Sequence, residues 1–583
     1  MSWAATAWAR RRFAREKGTI TKDWGGRLPI ALVYPNAYRV GMSSLGFQLI
    51  YRLLNSEVGV VCERCFWEPS LLRGSEPPVT MEGQRPLADF AAIAFSVTFE
   101  LDYFQVVALL RQAGLPTRAA DRDEGHPLVL GGGPCLTANP EPLAPLFDAV
   151  AVGEAETILP GILAAVREKV EAPRADLLRR LAQAPGVYVP SLHRVGDGSG
   201  QHTRPRPVMR RWVSDLDAHP GYSSLLTDET EFGRMFLLEV ARGCGRGCRF
   251  CLAGYCFRPM RERSLGVLLD QARLGLESTD RVGLMGPAVS DYSAIDELAS
   301  RLREMGARVS VASLRLDRLS DRLLQALVES GTKSIALAPE AGSERLRGFL
   351  SKTISDDEIL AAAAQIARRG VRKVKLYYML GLPSETEAES DEVIRLTQEI
   401  GQVLSRRKTG AELTATISPF VPKAQTPFQW EPMLEREALS QRLRRVRLGL
   451  RALGVAAKGE SPDWSEVQGV LARGDRRLFG VLDRLGSFAQ ADALARGKTP
   501  ELRAWREAME SEGLDADEYL RPRRAPDEAP AWQAVSSGVE PGFLWQERKR
   551  AGGGRPAIAC PGADCSACGV CLPVQGQRDG LLL

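Results

Sequence analysis

Two separated blocks of the chain alternate short β-rich runs with helical stretches, and this alternation limits the possible folds more than any other feature. In the first block, "LPIALVYP" (Leu28 to Pro35), "FAAIAFSVT" (Phe90 to Thr98), "HPLVLGGGP" (His126 to Pro134) and "FDAVAVGEAE" (Phe147 to Glu156) read as strands. Helical runs such as "SLGFQLIYRLLNS" and "FQVVALLRQAG" separate them. Strand, helix, strand with glycines at strand ends predicts a doubly wound parallel sheet. Ligands of such sheets lie beyond the carboxyl ends of the strands, where "YPNAYRVGM", "SVTFE" and "GGGPCLTANPEP" gather.

The second block repeats the pattern with a longer period. Its strand candidates begin at Arg234, Arg281, Arg308, Thr332, Val371 and Glu412, with Gly-terminated helices such as "SDRLLQALVESG" between them. Six such units predict a partial (β/α)6 barrel, whose active face is built by the loops after the strands. The expected fold class is α/β: an N-terminal doubly wound parallel sheet, the partial barrel, then a helical C-terminal region with a Cys-rich tail. The corresponding divisions are an N-terminal extension (1–27), the sheet domain (28–165), a Pro-, Gly- and Arg-rich connector (166–230), the barrel (231–430), a helical domain (431–520) and a Pro/Arg-rich segment with the cysteine tail (521–583).

Composition narrows the function classes only a little. A net charge of +5 on 583 residues argues neither for nor against nucleic acid. No apolar run reaches the roughly 18 residues that span a bilayer. The opening "MSWAATAWARRRFAREK" has its charges after the weakly apolar stretch, the wrong order for a secretory signal, and reads as a surface helix. The expected location is cytoplasmic, so the eleven cysteines point to metal or redox chemistry rather than bridges. His126, His193, His202 and His219 are not paired at helical spacing, which argues against histidine-based zinc hydrolysis.

Three of those cysteines, Cys244, Cys248 and Cys251, fall directly after the first barrel strand in "ARGCGRGCRFC". A [4Fe–4S] cubane has four irons, each normally taking one thiolate, so three cysteines leave one iron open. A zinc knuckle, or a closed cluster with Cys256 as fourth ligand, is the competing reading. The spacing C-x3-C-x2-C in this position resembles the radical S-adenosylmethionine (radical SAM) superfamily. The resemblance implies that SAM chelates the open iron and is cleaved reductively to methionine and a 5′-deoxyadenosyl radical, with an electron donor such as flavodoxin or ferredoxin. It further implies that Phe250 lies near the adenine and that Glu340 and Ser343 of "ALAPEAGSERLR" hold the ribose and methionyl groups. Gly381 and Pro383 of "YYMLGLPSET" would form the adenine-side turn. Gly286 occupies the second-strand position, although "GLMGPAVSDY" lacks the superfamily's Gly-Gly-Glu wording.

"ALVYPNAYRVGMSSLGFQLIYRLLN", "GGGPCLTANPEPLAPLFDAVAVGEAE" and "RGCGRGCRFCLAGYCFRPMRERS" are similar to a mostly uncharacterised subgroup with an N-terminal cobalamin-binding-like domain. A domain that ligates cobalt from below carries Asp-x-His-x-x-Gly. Here the same place reads Asn36 to Gly41, keeping Gly41 but putting Tyr38 where the imidazole belongs; a phenol of pKa about 10 is a poor cobalt ligand. Ser96, Thr98, Gly131 and Gly132 still resemble the loops that cradle the corrin's nucleotide tail. Binding of cobalamin and retention of an empty fold both stay open.

At the other end, "CPGADCSACGVC" sets Cys560, Cys565, Cys568 and Cys571 at C-x4-C-x2-C-x2-C. Zinc and an auxiliary [4Fe–4S] cluster both fit, and a metal-free tail is the alternative. Cys62, Cys65 and Cys135 read as packing residues, and "RGDRR" (Arg473 to Arg477) as a phosphate contact or a solvated helix edge. The leading reading is a radical SAM enzyme of unknown substrate, with methyl transfer if cobalamin binds. The competing readings are methylthiolation-like C–H chemistry on RNA or a ribosomal component, and a cluster-bearing sensor without turnover.

Overall fold

The structure, a computed structural model, describes residues 3–68, 77–167, 172–193, 206–312, 314–406, 411–487, 490–491, 493 and 499–572. Most of the connector stretch "HRVGDGSGQHTRPRP", from 194 to 205, lies outside them. The N-terminal sheet contains β1 (Leu28–Tyr34), β2 (Val60–Phe66), β3 (Ala92–Ser96), β4 (Leu128–Gly132), β5 (Ala149–Ala151) and β6 (Val187–Tyr188), in the order β2-β1-β3-β4-β5-β6. The first five strands run parallel, and β6 closes the edge antiparallel. Alternate residues feed two cores: Val33, Phe95 and Val129 face one side, Leu32, Ala92 and Leu130 the other, as the two-residue period of a strand requires.

Strand β2 carries no continuous apolar run in the sequence, because charges interrupt it. Glu63 and Arg64 sit mid-strand, yet every residue of "VVCERCF" is buried. Arg64 pairs with Glu16 and Glu82, both at 2.6 Å, and Glu63 accepts from the Trp24 indole at 2.8 Å. The charges are tolerated because each is hydrogen-bonded. Cys62 and Cys65 of this strand are fully buried, as packing residues.

Beyond β7 (Val208–Met209) the second block opens with β8 (Phe236–Glu239). Strands β9 (Ala241–Arg242) and β10 (Arg261–Glu262) pair antiparallel and pinch the base of the cysteine loop. Then β11 (Arg281–Met285), β12 (Arg308–Val311), β13 (Ser334–Glu340), β14 (Lys373–Leu380) and β15 (Glu412–Pro419) follow in spatial order, with β8 beside β11. A parallel bridge between Leu314 and Leu337 links the two arcs of strands. A further parallel strand, β16 (Ala456–Gly459), extends the series past the expected six. Its "AAKG" carries no apolar run because it is an exposed edge. Serine caps begin several outer helices: Ser264, Ser320 and Ser355 each accept from the backbone N–H three residues on, worth about 1 kcal/mol apiece.

The helices between Pro462 and Leu520 pack on the sheet, not apart from it: Phe479, Leu482 and Trp505 share one core with Val33, Phe95 and Phe104. Residues of "RGDRR" make the seam. Arg473 is fully buried and donates to the Glu431 carbonyl at 2.7 Å, and Arg476 pairs with Glu141 at 2.9 Å. Gln425, at φ +58°, donates to the Thr137 and Ala138 carbonyls and accepts from Ser537 N–H, binding sheet, barrel and C-terminal segment together. That last segment adds β17 (Val535–Ser536), parallel to β7.

Candidate active site at the barrel mouth

The cysteine loop leaves the barrel through a turn that only glycine fits. Gly243 has φ +76°, and a Cβ there would stand 2.4 Å from the carbonyl oxygens of Phe257 and Pro259. Cys244, Cys248 and Cys251 are half-buried on this loop, and Cys251 N–H donates to the Cys248 carbonyl at 3.0 Å. Burial and the neighbouring Cys248 thiol push Cys251 up to about 12, so a metal bound there would have to displace its proton. Cys256, the alternative fourth ligand, is fully buried within the apolar core that includes Phe95 and Val107. Among the described residues no group of three or more His, Cys, Asp or Glu side chains is drawn in around the position of a single metal ion.

An ion-pair network, invisible in sequence because its members are scattered, fixes the loop to the next two strand ends. Arg246 forks onto both oxygens of Asp291, after β11, at 2.8 Å each. It also reaches Asp317, after β12, at 3.4 Å, and Asp317 in turn holds Arg315 at 3.0 Å. Two-pronged arginine–carboxylate pairs set geometry as well as energy.

The other expected SAM residues converge on the same end. Glu340 closes β13 at φ +70° and accepts from Lys352 at 2.6 Å; a non-glycine held there is a strain typical of functional turns. Ser343 caps the following helix and donates to Glu389 at 2.9 Å. Gly381, at φ +79°, and Leu382 both donate to Glu385, at 2.5 and 3.0 Å, which orients the turn preceding Pro383. Phe250 packs in one apolar group with Ala341, Met379, Leu382 and Phe420. The tip of the cysteine loop therefore touches the ends of β13, β14 and β15.

Gly286 faces a different space. A cavity of about 590 Å³ runs from the face of the N-terminal sheet to the barrel mouth. Ile30, Leu32, Ala94, Leu130 and the helices Leu45–Ser56 and Ala155–Arg167 make its apolar wall; Ser96, Gly131 and Gly132 line its middle, and Gly243 and Gly286 its far end. A Cβ at Gly46 would meet nothing within 4 Å, and one at Gly132 only Ala151 at 3.7 Å. Thr98 is not on this wall: its hydroxyl bonds the Tyr34 phenol at 2.8 Å. Neither are Tyr38 and Gly41. The Tyr38 phenol bonds Glu16 at 2.6 Å with its ring edge-on to Trp8 and Phe66, and Gly41 abuts the Phe66 ring. Glu154 marks the seam between sheet and barrel, held by Arg210, Arg242 and Arg261. Burial opposes its ionisation, but the hydrogen bonds and charge of Arg261 and Arg242 outweigh that and hold it at about 2.

Comparison with known proteins identifies the family. The model of the radical SAM superfamily matches residues 238–397, and that of the N-terminal region of radical SAM proteins matches residues 46–190. An uncharacterized protein of Methanocaldococcus jannaschii, MJ0966, is 31% identical over 78% of this chain and 90% of its own length. The chain belongs to the radical SAM superfamily. As a radical SAM enzyme it is more distantly similar to the tRNA-2-methylthio-N(6)-dimethylallyladenosine synthase of Erythrobacter litoralis, 21% identical over 50% of this chain and 68% of that one. Among solved structures, the radical SAM methyltransferase TsrM of Kitasatospora setae, with cobalamin and a [4Fe–4S] cluster bound, aligns with TM-score 0.46 and 14% identity. That alignment covers 83% of this chain and all of TsrM. No helix among the described residues is long and apolar enough to cross a membrane.

Proposed function

We propose that this radical SAM enzyme transfers a methyl group to an unactivated carbon, with a [4Fe–4S] cluster on Cys244, Cys248 and Cys251 and a corrin in the cavity between sheet and barrel. The observation carrying the reading is the continuity of that cavity, which begins on the apolar sheet face and ends at Gly243 and Gly286 beside the cysteine loop. The donor set suits an open cluster: three half-buried thiols on one loop, with the next cysteine shut into the core. The cavity has room for a bulky ligand where glycines 46 and 132 present no side chain to it. Tyr38 is turned into the core, so a corrin here would have no lower ligand from the Asn36–Gly41 loop.

When bound, a reduced cluster with SAM supplies the 5′-deoxyadenosyl radical chemistry of the superfamily, and a corrin supplies a methyl carrier. The chain's own part is placement. Arg246 fixes the thiol loop against Asp291 and Asp317. Glu340 and Ser343 offer polar groups to the ribose and methionyl end of SAM, Phe250 and the Gly381–Pro383 turn a face for adenine, and the apolar group around Phe250 keeps water from that side. A one-electron donor of the flavodoxin or ferredoxin class is the expected partner, and the cytoplasm the expected location.

Anaerobically reconstituted protein should keep the corrin's visible absorption through gel filtration, and with reductant and SAM should release 5′-deoxyadenosine. Protein that keeps its cluster absorption but shows no corrin bands would defeat the methyl-transfer reading. The likeness to a tRNA methylthio synthase favours a second reading, sulfur insertion into RNA or a ribosomal protein; mass spectrometry of RNA and protein from a deletion strain separates the two.

A further inference from the structure

The four C-terminal cysteines are not at the end of a loose arm. Cys560 N–H donates to the Gly245 carbonyl at 2.8 Å, in the middle of the SAM-cluster loop. Three residues earlier, Ala557 N–H bonds the Ser351 hydroxyl at 2.9 Å. A Cβ at Gly247 would come within 2.5 Å of the Ala557 side chain, so tail and loop are packed as closely as glycine permits. Fully buried Arg249, between Cys248 and Phe250, donates to the carbonyls of Glu547 and Arg555 at 2.8 and 2.5 Å. At the far side of the set, Glu540 N–H donates to the Cys568 carbonyl at 2.9 Å. Cys560 and Cys568 are buried, whereas Cys565 and Cys571 reach the surface.

Charge gives an independent indication. Arg258 is 1% exposed and pairs with no carboxylate among the described residues. Its guanidinium lies over Tyr255 and Phe543, at 4.7 and 5.3 Å, and donates to the carbonyls of Gly254 at 2.8 Å and Ile558 at 3.2 Å. Gly254 follows the first thiol set and Ile558 precedes the second. A buried cation without a counter-charge is costly, and carbonyl dipoles only partly compensate it.

We propose that Cys560, Cys565, Cys568 and Cys571 hold a second [4Fe–4S] cluster, docked against the SAM-cluster loop, whose negative charge balances Arg258. The spacing favours a cubane over zinc. Cys565, Cys568 and Cys571 repeat at every third residue, the C-x2-C-x2-C run of bacterial cluster ligands. Structural zinc is more often held by two ligand pairs separated by a longer stretch.

The test is metal and sulfide analysis with Mössbauer spectroscopy on the full chain, isolated without oxygen. The wild type should carry about eight irons, four per cubane. The variant Cys244→Ala/Cys248→Ala/Cys251→Ala should retain about four irons and matching sulfide in a site that SAM does not perturb. One zinc, or no metal, in that variant would overturn the proposal while leaving the SAM cluster untouched. Because a variant can fail to fold, the wild type supplies a second readout: SAM should alter about one iron site in eight, whereas a single cluster gives about one in four. Loss of SAM perturbation with about eight irons retained would fault the first site and spare the second.

Discussion

The two α/β units of this molecule treat their ligand-facing ends differently. At the barrel, the loop after the first strand carries its thiols at the mouth: Phe250 packs against the ends of β13 to β15, and Arg246 ties the loop to Asp291 and Asp317 after β11 and β12. At the N-terminal sheet, the equivalent loop after β1 turns inward: Tyr38 is buried against Trp8 and Phe66 and bonds Glu16 from the N-terminal extension. The barrel thus offers donor atoms, the sheet only shape. A site that bonds a metal needs particular atoms at particular spacings, and a site that encloses a ligand needs the absence of atoms.

Removing atoms from the first site should have the largest effect. Cys244→Ala/Cys248→Ala/Cys251→Ala should reduce 5′-deoxyadenosine formation to the level without enzyme, measured by chromatography, while leaving corrin retention intact. If the variant also lost the corrin, the two ends would not be separate sites.

Adding atoms to the second site is the reciprocal experiment. Gly46→Phe adds a ring at the exposed rim of the cavity, where nothing lies within 4 Å of the new Cβ. Gly46 is the exposed second residue of the helix Leu45–Ser56, where a larger side chain displaces no packing, so the fold should be no less stable. Corrin absorption should be lost after gel filtration, with uncoupled SAM cleavage preserved. Retention of the corrin would move its site out of this cavity.

This contrast also explains what was legible in the sequence. The six barrel strands and the thiol loop could be read because periodicity and cysteine spacing are local. Strand β2 could not, because Glu63 and Arg64 look exposed until Trp24, Glu16 and Glu82 supply their partners from distant segments. The direction of Tyr38 depends on Trp8, thirty positions upstream in a helix that sequence alone reads as surface. The Arg246–Asp291–Asp317 network joins three loops and leaves no pattern along the chain. Glycines 46 and 132 carry the cavity by omission, a signal that composition does not mark.

Where the two units meet, Glu154 is the shared anchor. Glu154→Gln leaves Arg210 and Arg261 short of a counter-charge, whereas Arg242 keeps Glu156 and Glu239; breaking a buried pair of this kind costs about 3–5 kcal/mol, to be measured by denaturant unfolding. The pH dependence has a defined sign. The folded value, about 2, lies below the ordinary 4.5, so the carboxylate's stabilisation is complete above the ordinary value and fades as pH falls toward 2. The gap between wild type and E154Q should therefore narrow on acidification. A constant gap from neutral pH to pH 3 would mean that the arginines do not govern this carboxyl.

The smallest effect tests whether the inward turn of the sheet loop is structural. Tyr38→Phe removes the phenol's bond to Glu16, which still has Arg64 at 2.6 Å, and its interaction with the Thr227 hydroxyl. The cost should be about 1 kcal/mol, the usual net worth of such a bond, with corrin retention unchanged. Tyr38→His restores the residue type of a cobalt ligand at the matching sequence position, yet the side chain would still face Trp8 and Phe66. Its corrin spectrum should match the wild type's, with a further loss of stability from a smaller, polar ring in an aromatic pocket. A shift of the visible bands to those of an imidazole-ligated corrin would show that the loop can swing outward, and the distinction between a donor-bearing barrel and a shape-only sheet would fail.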